Sequence, residues 1–530
     1  MKNRARGYFG SRMPVRGLWA LLRARGLVRE VSDDESRKLL EGRAVAIDLN
    51  IWAVEGEAQS KKIVENGGRI WPNYFLLLCF SRIMHFLRLG CRPVAVMEGA
   101  CPASKVRKRQ RNGEHSQRID QMAMIFKALG CPCVRARSEA EGLCAQLSRN
   151  GVVDAVVSSD SDLFPFGVDG VVLKIAKLSS NVWAIAHSLE VQKTLGLGRE
   201  GFIALAMFAG SDFGQGVNGV GAEKALQCVR GLLRQCDEAS LKGKLFDALS
   251  KDLPAEFAQL ARLQGCQTCK RCGHGPPKRA HGSKGCKWCG TESGCEARSG
   301  PCPCDFHARN DEVVLARSLS GLTLEQVRNI WAVYDEPPTS LPSLSWSRPR
   351  VDMIVDLLRD ACNYPRGKVL KYILPALLLW DLTHPEEEAV FTPVSVVGVT
   401  GKGRLALIEW AGKDVEMEEA LRFLSRERRG VSRTLAARFC PELVVKHCIG
   451  LLYKKSHACP KRLRNREHLK SEAEKMFKDW GLPVSPAVHE MIDALEQACC
   501  KVVDVRQLSL DAFFSGELST ISRAKRKRSH

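Results

Sequence analysis

Two pairs of carboxylates crowd the stretch from Ser138 to Asp162, SEAEGLCAQLSRNGVVDAVVSSDSD: Glu139 with Glu141, and Asp160 with Asp162. In extended backbone, residues two apart point to the same side, so each pair presents two acids to one place. Carboxylates held together raise one another's pKa unless cations neutralise them. Hard oxygen ligands suit Mg²⁺ or Mn²⁺, and two such ions roughly 3.5–4 Å apart are a device for hydrolysing phosphodiesters. A lone ExE or DxD is ordinarily a solvated acidic turn. Both pairs in one short unit, beside a Val-rich segment, point to metal instead.

The elements that would position these acids follow from apolar runs. Ala155–Val157 reads as a short buried strand, with Asp160 and Asp162 leaving its end. Glu139 and Glu141 precede a helix carrying Leu143, Cys144 and Leu147. Ala44–Ile47 is a buried strand ending at Asp48, and Pro93–Met97 a second one ending at Glu98. A further strand lies at Val171–Leu173; a short helix ending at Leu22 is expected after Met13–Trp19, itself a candidate second start, and further helices over Tyr74–Leu89, Met122–Leu129 and Phe202–Ala209, with Asp212 just after the last. Strands alternating with helices imply an α/β unit with a largely parallel sheet. Ligands bind such sheets outside the carboxyl ends of the strands, where Asp48, Glu98, Asp160 and Asp162 all fall.

The chain has 530 residues, enough for several units, and a formal net charge of +21. That charge implies a polyanionic partner: basic surface would attract phosphate, and the acids would hold the metal that acts on it. Residues 1–12 are basic and lack the apolar core of a secretory signal. The 22 cysteines are therefore expected as thiols and metal ligands rather than disulfides. No apolar run approaches the roughly 18 residues of a membrane span; Tyr372–Leu382, with Pro375 and Asp381, reads as a buried helix.

The strings AIDLNIW, VMEG, SEAEGLCA, SSDSDLF and GSDF occur in this order. On them, residues 13–265 resemble the PIN-like nuclease core of the XPG/flap endonuclease superfamily. The resemblance implies that Asp48, Glu98, Glu139, Glu141, Asp160, Asp162 and Asp212 are the active-site acids, holding two Mg²⁺ or Mn²⁺ ions. Glu at the second position and the DLNIW string are similar to GEN-type Holliday junction resolvases. This implies cleavage of four-way junctions and 5′ flaps near the branch, with water as nucleophile and a 5′-phosphate product. It also implies monomers in solution that dimerise on junction DNA.

Gly216–Ala225, GVNGVGAEKA, is a Gly-rich turn opening a helix, whose backbone N–H groups suit a phosphate without sequence readout. After GSDF it resembles the family's helix–two-turn–helix, spanning about 209–250. Gly216, Val217, Gly219, Val220, Gly221 and Lys224 would then grip the DNA backbone beside a K⁺ held by loop carbonyls. Lys105 to Arg111, KVRKRQR, resembles the family's helical arch: Lys105 matches the basic residue that steers the scissile phosphate, and Arg109, or else Lys108, its partner. The short interval implies a reduced arch that leaves room for a branched junction.

Residues 266–310 form a Cys/His-rich insertion. Cys269 and Cys272 make one CxxC and Cys286 and Cys289 another, with His274, His281, Cys295, Cys302, Cys304 and His307 as further candidates. Paired CxxC at this separation reads as tetrahedral Zn²⁺, and so few apolar residues require metal to order them. GEN-type resolvases carry a similar insertion. Residues 311–388 read as the helical remainder of the core (Leu315–Val333, Val351–Trp380). Residues 389–450 hold a β-hairpin (Pro393–Val399, Leu405–Trp410) and a helix near Met417–Ser425, resembling a chromodomain. With Trp410 its conspicuous aromatic, a DNA-backbone or packing role is expected over methyl-lysine reading.

The basic tail, 451–530, contains Gln507, Leu510, Phe513 and Phe514 in the spacing Q-x-x-L-x-x-F-F. This fits a PCNA-interacting motif whose apolar side chains fill a pocket on the partner. Lys525–Arg528 reads as a nuclear signal. Two other readings compete: a replication-type 5′ flap endonuclease recruited by PCNA, and a non-catalytic DNA or chromatin adaptor.

Overall fold

The computed structural model describes residues 15–100, 113–177, 182–250, 255–263, 289–292, 305–335, 341–383, 391–400, 405–412 and 434–438. They fall into two compact units, 1–347 with 360–363, and 348–359 with 364–530.

The first unit is built on a seven-stranded sheet in the order β1-β7-β6-β5-β2-β3-β4. Its strands are β1 (Arg29–Val31), β2 (Ala44–Asp48), β3 (Arg92–Met97), β4 (Cys133–Arg135), β5 (Ala155–Val157), β6 (Val171–Lys177) and β7 (Val182–His187). Strands β2 to β6 pair in parallel, while β7 and β1 add antiparallel pairings at one edge. The central strands are apolar on both faces, as a covered parallel sheet requires: Val45, Ala46, Ile47, Val94, Ala95, Val96 and Val156 are fully buried. From β2 the chain winds outward through β3 and β4, then returns to β5 on the other side of β2. The topological switch therefore lies between β2 and β5, with Asp48 and Asp160 at their carboxyl ends.

Helices cover both faces. They are α1 (Leu18–Ala24), α2 (Asp33–Leu40), α3 (Leu49–Glu65), α4 (Tyr74–Arg88), α5 (Gly113–Ala128), α6 (Ala140–Arg149), α7 (Ser188–Leu195), α8 (Arg199–Ala209), α9 (Ala222–Leu233), α10 (Leu241–Ser250) and α11 (Ala255–Arg262). The helix expected over Leu315–Val333 is two: α12 (Asn310–Leu319) and α13 (Leu324–Tyr334). Thr323 starts the second with a capping box. Its hydroxyl accepts from the Gln326 N–H at 3.3 Å, and Gln326 Oε1 accepts from the Thr323 N–H at 3.0 Å. Such reciprocal bonding satisfies two otherwise orphaned donors. Both α12 and α13 share the core with α8 and α9, through Leu315, Leu319, Val327, Ile330 and Trp331.

Under α3 and α4 lies a buried ion pair. Arg82 is 2% exposed, with Nη1 3.0 Å from Glu55 Oε2 and its guanidinium 5.3 Å from the Trp52 ring centroid. Burial pushes the Glu55 carboxyl's pKa up, and Arg82 opposes the shift.

The second unit contains most of α14 (Val351–Cys362), then α15 (Arg366–Thr383), and a three-stranded antiparallel sheet, β10-β9-β8. The expected single helix over Val351–Trp380 breaks at Asn363, which adopts φ 53°; Pro365 follows and cannot donate to a continuing helix. The anticipated hairpin is present as β8 (Phe391–Thr400) and β9 (Leu405–Gly412), joined by β10 (Thr434–Arg438). The helix expected near Met417–Ser425 lies outside the described residues.

Removing one member of a buried ion pair leaves the other charge uncompensated, at about 3–5 kcal/mol. Arg82→Leu is therefore expected to lower unfolding free energy by that order in urea denaturation, and Arg82→Leu with Glu55→Leu to recover a large part of it.

Candidate active site

Each central acid stands where a strand hands over to a helix. Asp48 caps α3: its Oδ1 accepts from the N–H groups of Asn50 (3.0 Å) and Ile51 (3.3 Å). Its Oδ2 accepts from the Ser158 hydroxyl at 3.1 Å, which ties the end of β2 to the end of β5. Asp160 caps the short 3₁₀ turn Ser161–Leu163, its Oδ1 accepting from the Asp162 N–H at 2.8 Å. Glu139 is the residue before α6, and Glu141 sits in that helix's first turn.

Extended backbone was the expectation for both carboxylate pairs, and here it needs correction. In each pair only the first residue is extended and the second is helical. The pairs converge because a helix N-terminus, with its free N–H groups and positive dipole end, favours carboxylates.

Glu98 follows β3, whose Val96 pairs in register with Asp48. Just beyond it, the Gly99 N–H donates to the Ser138 carbonyl at 2.7 Å, bringing Glu98 beside the Glu139 turn. A Cβ at Gly99 would overlap the carbonyls of Ala136 and Arg137, so glycine is what lets these two segments touch. Asp212 lies in the loop after α8, where Gly210 takes φ 93° and the Gly210 carbonyl accepts from the Arg16 N–H at 2.9 Å. One residue earlier, the Val15 N–H donates to Asp162 Oδ1 at 3.0 Å. The segment before α1 thus bridges the Asp162 turn and the Asp212 loop.

Asp48, Glu98, Glu139, Glu141, Asp160 and Asp162 are each at most 9% exposed, and Asp212 is half-buried. Burial, then the charges of Asp160, Asp212 and Glu141, push the Asp162 carboxyl's pKa well up. Asp48 and Glu141 act together in the same way on the buried Cys144 thiol, whose pKa burial already raises. Asp160, Asp212 and Glu141 thus lie within electrostatic reach of Asp162, and Asp48 and Glu141 of Cys144. Among the described residues, no three His, Cys, Asp or Glu side chains close on one point as a ready-made cage. Mg²⁺ does not require one: it keeps several waters and takes one or two carboxylates directly. The donor set, all carboxylate oxygens under mutual repulsion, fits hard divalent cations.

Several neighbours carry no sequence signal of this kind. Ser158 bonds Asp48 and also accepts from the Asp160 N–H at 3.1 Å. Asn50 donates to Glu98. Tyr334 of α13 is 2% exposed, with its ring edge-on to Phe166 at 4.9 Å and Phe213 at 5.4 Å. Burial, then the charge of Asp162, pushes its phenol's pKa well up. The DLN string held Asn50 in view; the distance of 172 residues in sequence hid Tyr334.

The Gly-rich turn is ordered as a helix entry. Gly219 takes φ 76°, Gly221 precedes α9, and the Val217 N–H donates to Phe208 O at 2.9 Å. Gly219, Gly221 and Lys224 are exposed, and Gly216, Val217 and Val220 half-buried. Lys224 Nζ donates to the Gly219 carbonyl at 2.9 Å, so an ammonium already engages one loop carbonyl. Lys105 and Arg109 lie outside the described residues, as do Gln507, Leu510, Phe513 and Phe514. So do Cys269, Cys272, His274, His281, Cys286, Cys295, Cys302 and Cys304, leaving Cys289 and His307 described. No helix of the described residues is long and apolar enough to cross a membrane.

Residues 13–119 match the XPG N-terminal domain family and residues 130–212 the XPG I-region family. Flap endonuclease GEN-like 1 of Arabidopsis thaliana is 27% identical over 404 residues, 66% of this chain and 66% of that protein. Flap endonuclease GEN homolog 1 of Homo sapiens is 27% identical over 317 residues, 56% of this chain and 33% of that protein. The chain thus spans two thirds or less of these relatives' lengths. Among solved structures, human GEN1 in complex with Holliday junction DNA superposes with a TM-score of 0.54 at 18% identity, covering 83% of this chain and 98% of that one. The fold is the one it shares with that nuclease, a mostly parallel sheet with helices on both faces.

An acid whose folded pKa is raised takes up a proton on folding between its ordinary pKa and the raised one. Stability falls as pH rises through that window. Asp162→Asn keeps an acceptor for the Val15 N–H and removes the charge. In chelator, the variant is expected to melt about 2–4 °C above the unaltered chain per kcal/mol relieved at pH 8, with a smaller gap at pH 5. Differential scanning fluorimetry reads the difference.

Proposed function

We propose, from the match of residues 13–119 and 130–212 to the XPG N-terminal domain and I-region, that the chain is a member of the XPG nuclease superfamily and a structure-selective DNA endonuclease of the GEN type. It cleaves four-way junctions and 5′ flaps near the branch by phosphodiester hydrolysis. The observation that supports this reading is that Asp48, Glu98 and Asp160 follow parallel strands while Asp160, Asp212 and Glu141 bear electrostatically on the buried Asp162; Glu139 is read with them. Two divalent cations bound there would activate water and stabilise the departing 3′ oxygen.

The chain's own residues supply the rest. The Asp48 carboxylate, held by the Asn50 and Ile51 N–H groups and the Ser158 hydroxyl, and the Asp160 carboxylate, held by the Asp162 N–H, are directed acceptors. Lys105, with Arg109 or Lys108, neutralises the phosphate. The turn Gly216–Gly221 and Lys224 hold the duplex backbone, positioning without sequence readout, so selectivity rests on duplex shape and bendability at the branch. The net charge of +21 draws the DNA in. Further parts of the proposal are Zn²⁺ in the 266–310 insertion, K⁺ at the Gly-rich turn and a chromodomain-like role for the β8–β10 sheet. They extend to sliding-clamp (PCNA) binding through Gln507, Leu510, Phe513 and Phe514, nuclear localisation, and monomers that dimerise on the junction.

The clamp-type motif favours a second reading, a replication-type flap endonuclease. Mapping cuts on a synthetic four-way junction and on a 5′ flap in Mg²⁺ separates the two. Paired, symmetric nicks in the junction are expected; cleavage of the flap alone supports the second reading. Asp160→Asn is expected to reduce cleavage by roughly 10²-fold or more while junction binding in a gel-shift assay persists. Undiminished cleavage by this variant contradicts the metal assignment, and binding without cleavage by the unaltered chain supports an adaptor.

A further inference from the structure

Glu98 is held by more than its own strand. The side-chain amide of Asn50, the second residue of α3, donates from Nδ2 to Glu98 Oε2. Asn50 Oδ1 lies 2.6 Å from His115 Nε2. His115 Nδ1 lies 3.9 Å from Glu57 Oε1, and Glu57 is bound by Arg118. The directions in this chain are set by chemistry. An ionised carboxylate only accepts, so the Asn50 amide turns its NH₂ to Glu98 and its oxygen to His115, whose Nε2 must carry a proton.

Asn50 also reaches a second acid, because its backbone N–H donates to Asp48 Oδ1 at 3.0 Å. Asparagine is a poor helix former, and a polar amide only 2% exposed is costly to bury unless bonded. The relay accounts for its presence at this point of α3. At the far end, His115 and Arg118 both belong to the first turns of α5. That helix starts at Gly113, directly after residues 101–112, which carry Lys105 and Arg109.

We propose that Asn50 and His115 are positioning residues that orient Glu98 for a divalent cation and tie that ligand to the start of α5, where the basic segment joins the core. Partners of this kind behind a ligating carboxylate typically change metal affinity about 10–100-fold. The proposal rests on the nuclease reading for Glu98 as a ligand, and nothing in it requires His115 to touch DNA or metal.

Mn²⁺ titrated into the full chain without DNA, with free Mn²⁺ read by electron paramagnetic resonance, tests it apart from activity. His115→Phe, which removes the donor, is expected to weaken binding about 10-fold or more. His115→Gln, which restores an N–H at similar reach, is expected to stay within about threefold of the unaltered chain. Asn50→Leu and the double variant Asn50→Leu/His115→Phe are expected to bind alike, since residues of one relay do not add. Where His115→Phe fails to fold, His115→Asn, polar but too short to reach Asn50, is read in its place and is expected to weaken binding equally. Unchanged affinity in His115→Phe, or in His115→Asn when that variant is read, overturns the relay and leaves the nuclease reading standing. No Mn²⁺ binding by the unaltered chain overturns both.

Discussion

Buried carboxylates repel one another, and this structure gathers them in spite of that. Six acids at most 9% exposed occupy the carboxyl ends of β2, β3 and β5 and the first turn of α6. Part of the repulsion is offset by hydrogen bonds: Asp48 accepts from the Asn50 and Ile51 N–H groups and the Ser158 hydroxyl, and Asp160 from the Asp162 N–H. Asp162 still feels the crowding: burial, then Asp160, Asp212 and Glu141, push its carboxyl well up in pKa. A fold that maintains such a cluster is poised to gain from divalent cations, and the parallel sheet is what maintains it. Its switch point lies between β2 and β5, the place where ligands of open parallel sheets bind.

Support for the cluster comes from distant parts of the chain. Val15 bonds Asp162, Arg16 bonds the loop of Asp212, and Trp19 Nε1 donates to the Ser159 carbonyl at 2.8 Å. From the other direction, α13 brings Tyr334 against Asp162. Tyr334 of α13 and the segment Val15–Trp19 therefore both border the acids, although they lie far from them in sequence.

Much of this was legible from residue order. Each of Asp48, Glu98 and Asp160 ends an apolar β-rich run, and such runs are readable because a strand covered on both faces shows no polar alternation. The convergence then follows from parallel topology. What escaped is instructive. Strands β1 (REV) and β4 (CVR) are as short as β5 but carry charged residues, so neither stands out as an apolar run. Strand β7 follows β6 closely and adds the antiparallel edge. The break between α12 and α13 depends on a capping box at Thr323 and Gln326, which is local chemistry hidden inside a longer apolar periodicity. Carboxylate geometry within each pair was set by helix entry rather than by extended backbone. Tyr334 owes its place to tertiary contact alone, and the Asn50 and Ser158 side chains bond acids remote in sequence, Glu98 and Asp48.

The central claim is that these acids share divalent cations. Replacing Mg²⁺ by Fe²⁺ in the presence of ascorbate and peroxide generates hydroxyl radicals at the bound ion, and the resulting breaks in the polypeptide can be mapped by mass spectrometry. Breaks clustered beside Asp48, Glu98, Glu139–Glu141, Asp160–Asp162 and Asp212, and suppressed by excess Mg²⁺, are the predicted pattern. Breaks confined to other segments, with these five left whole, would contradict it.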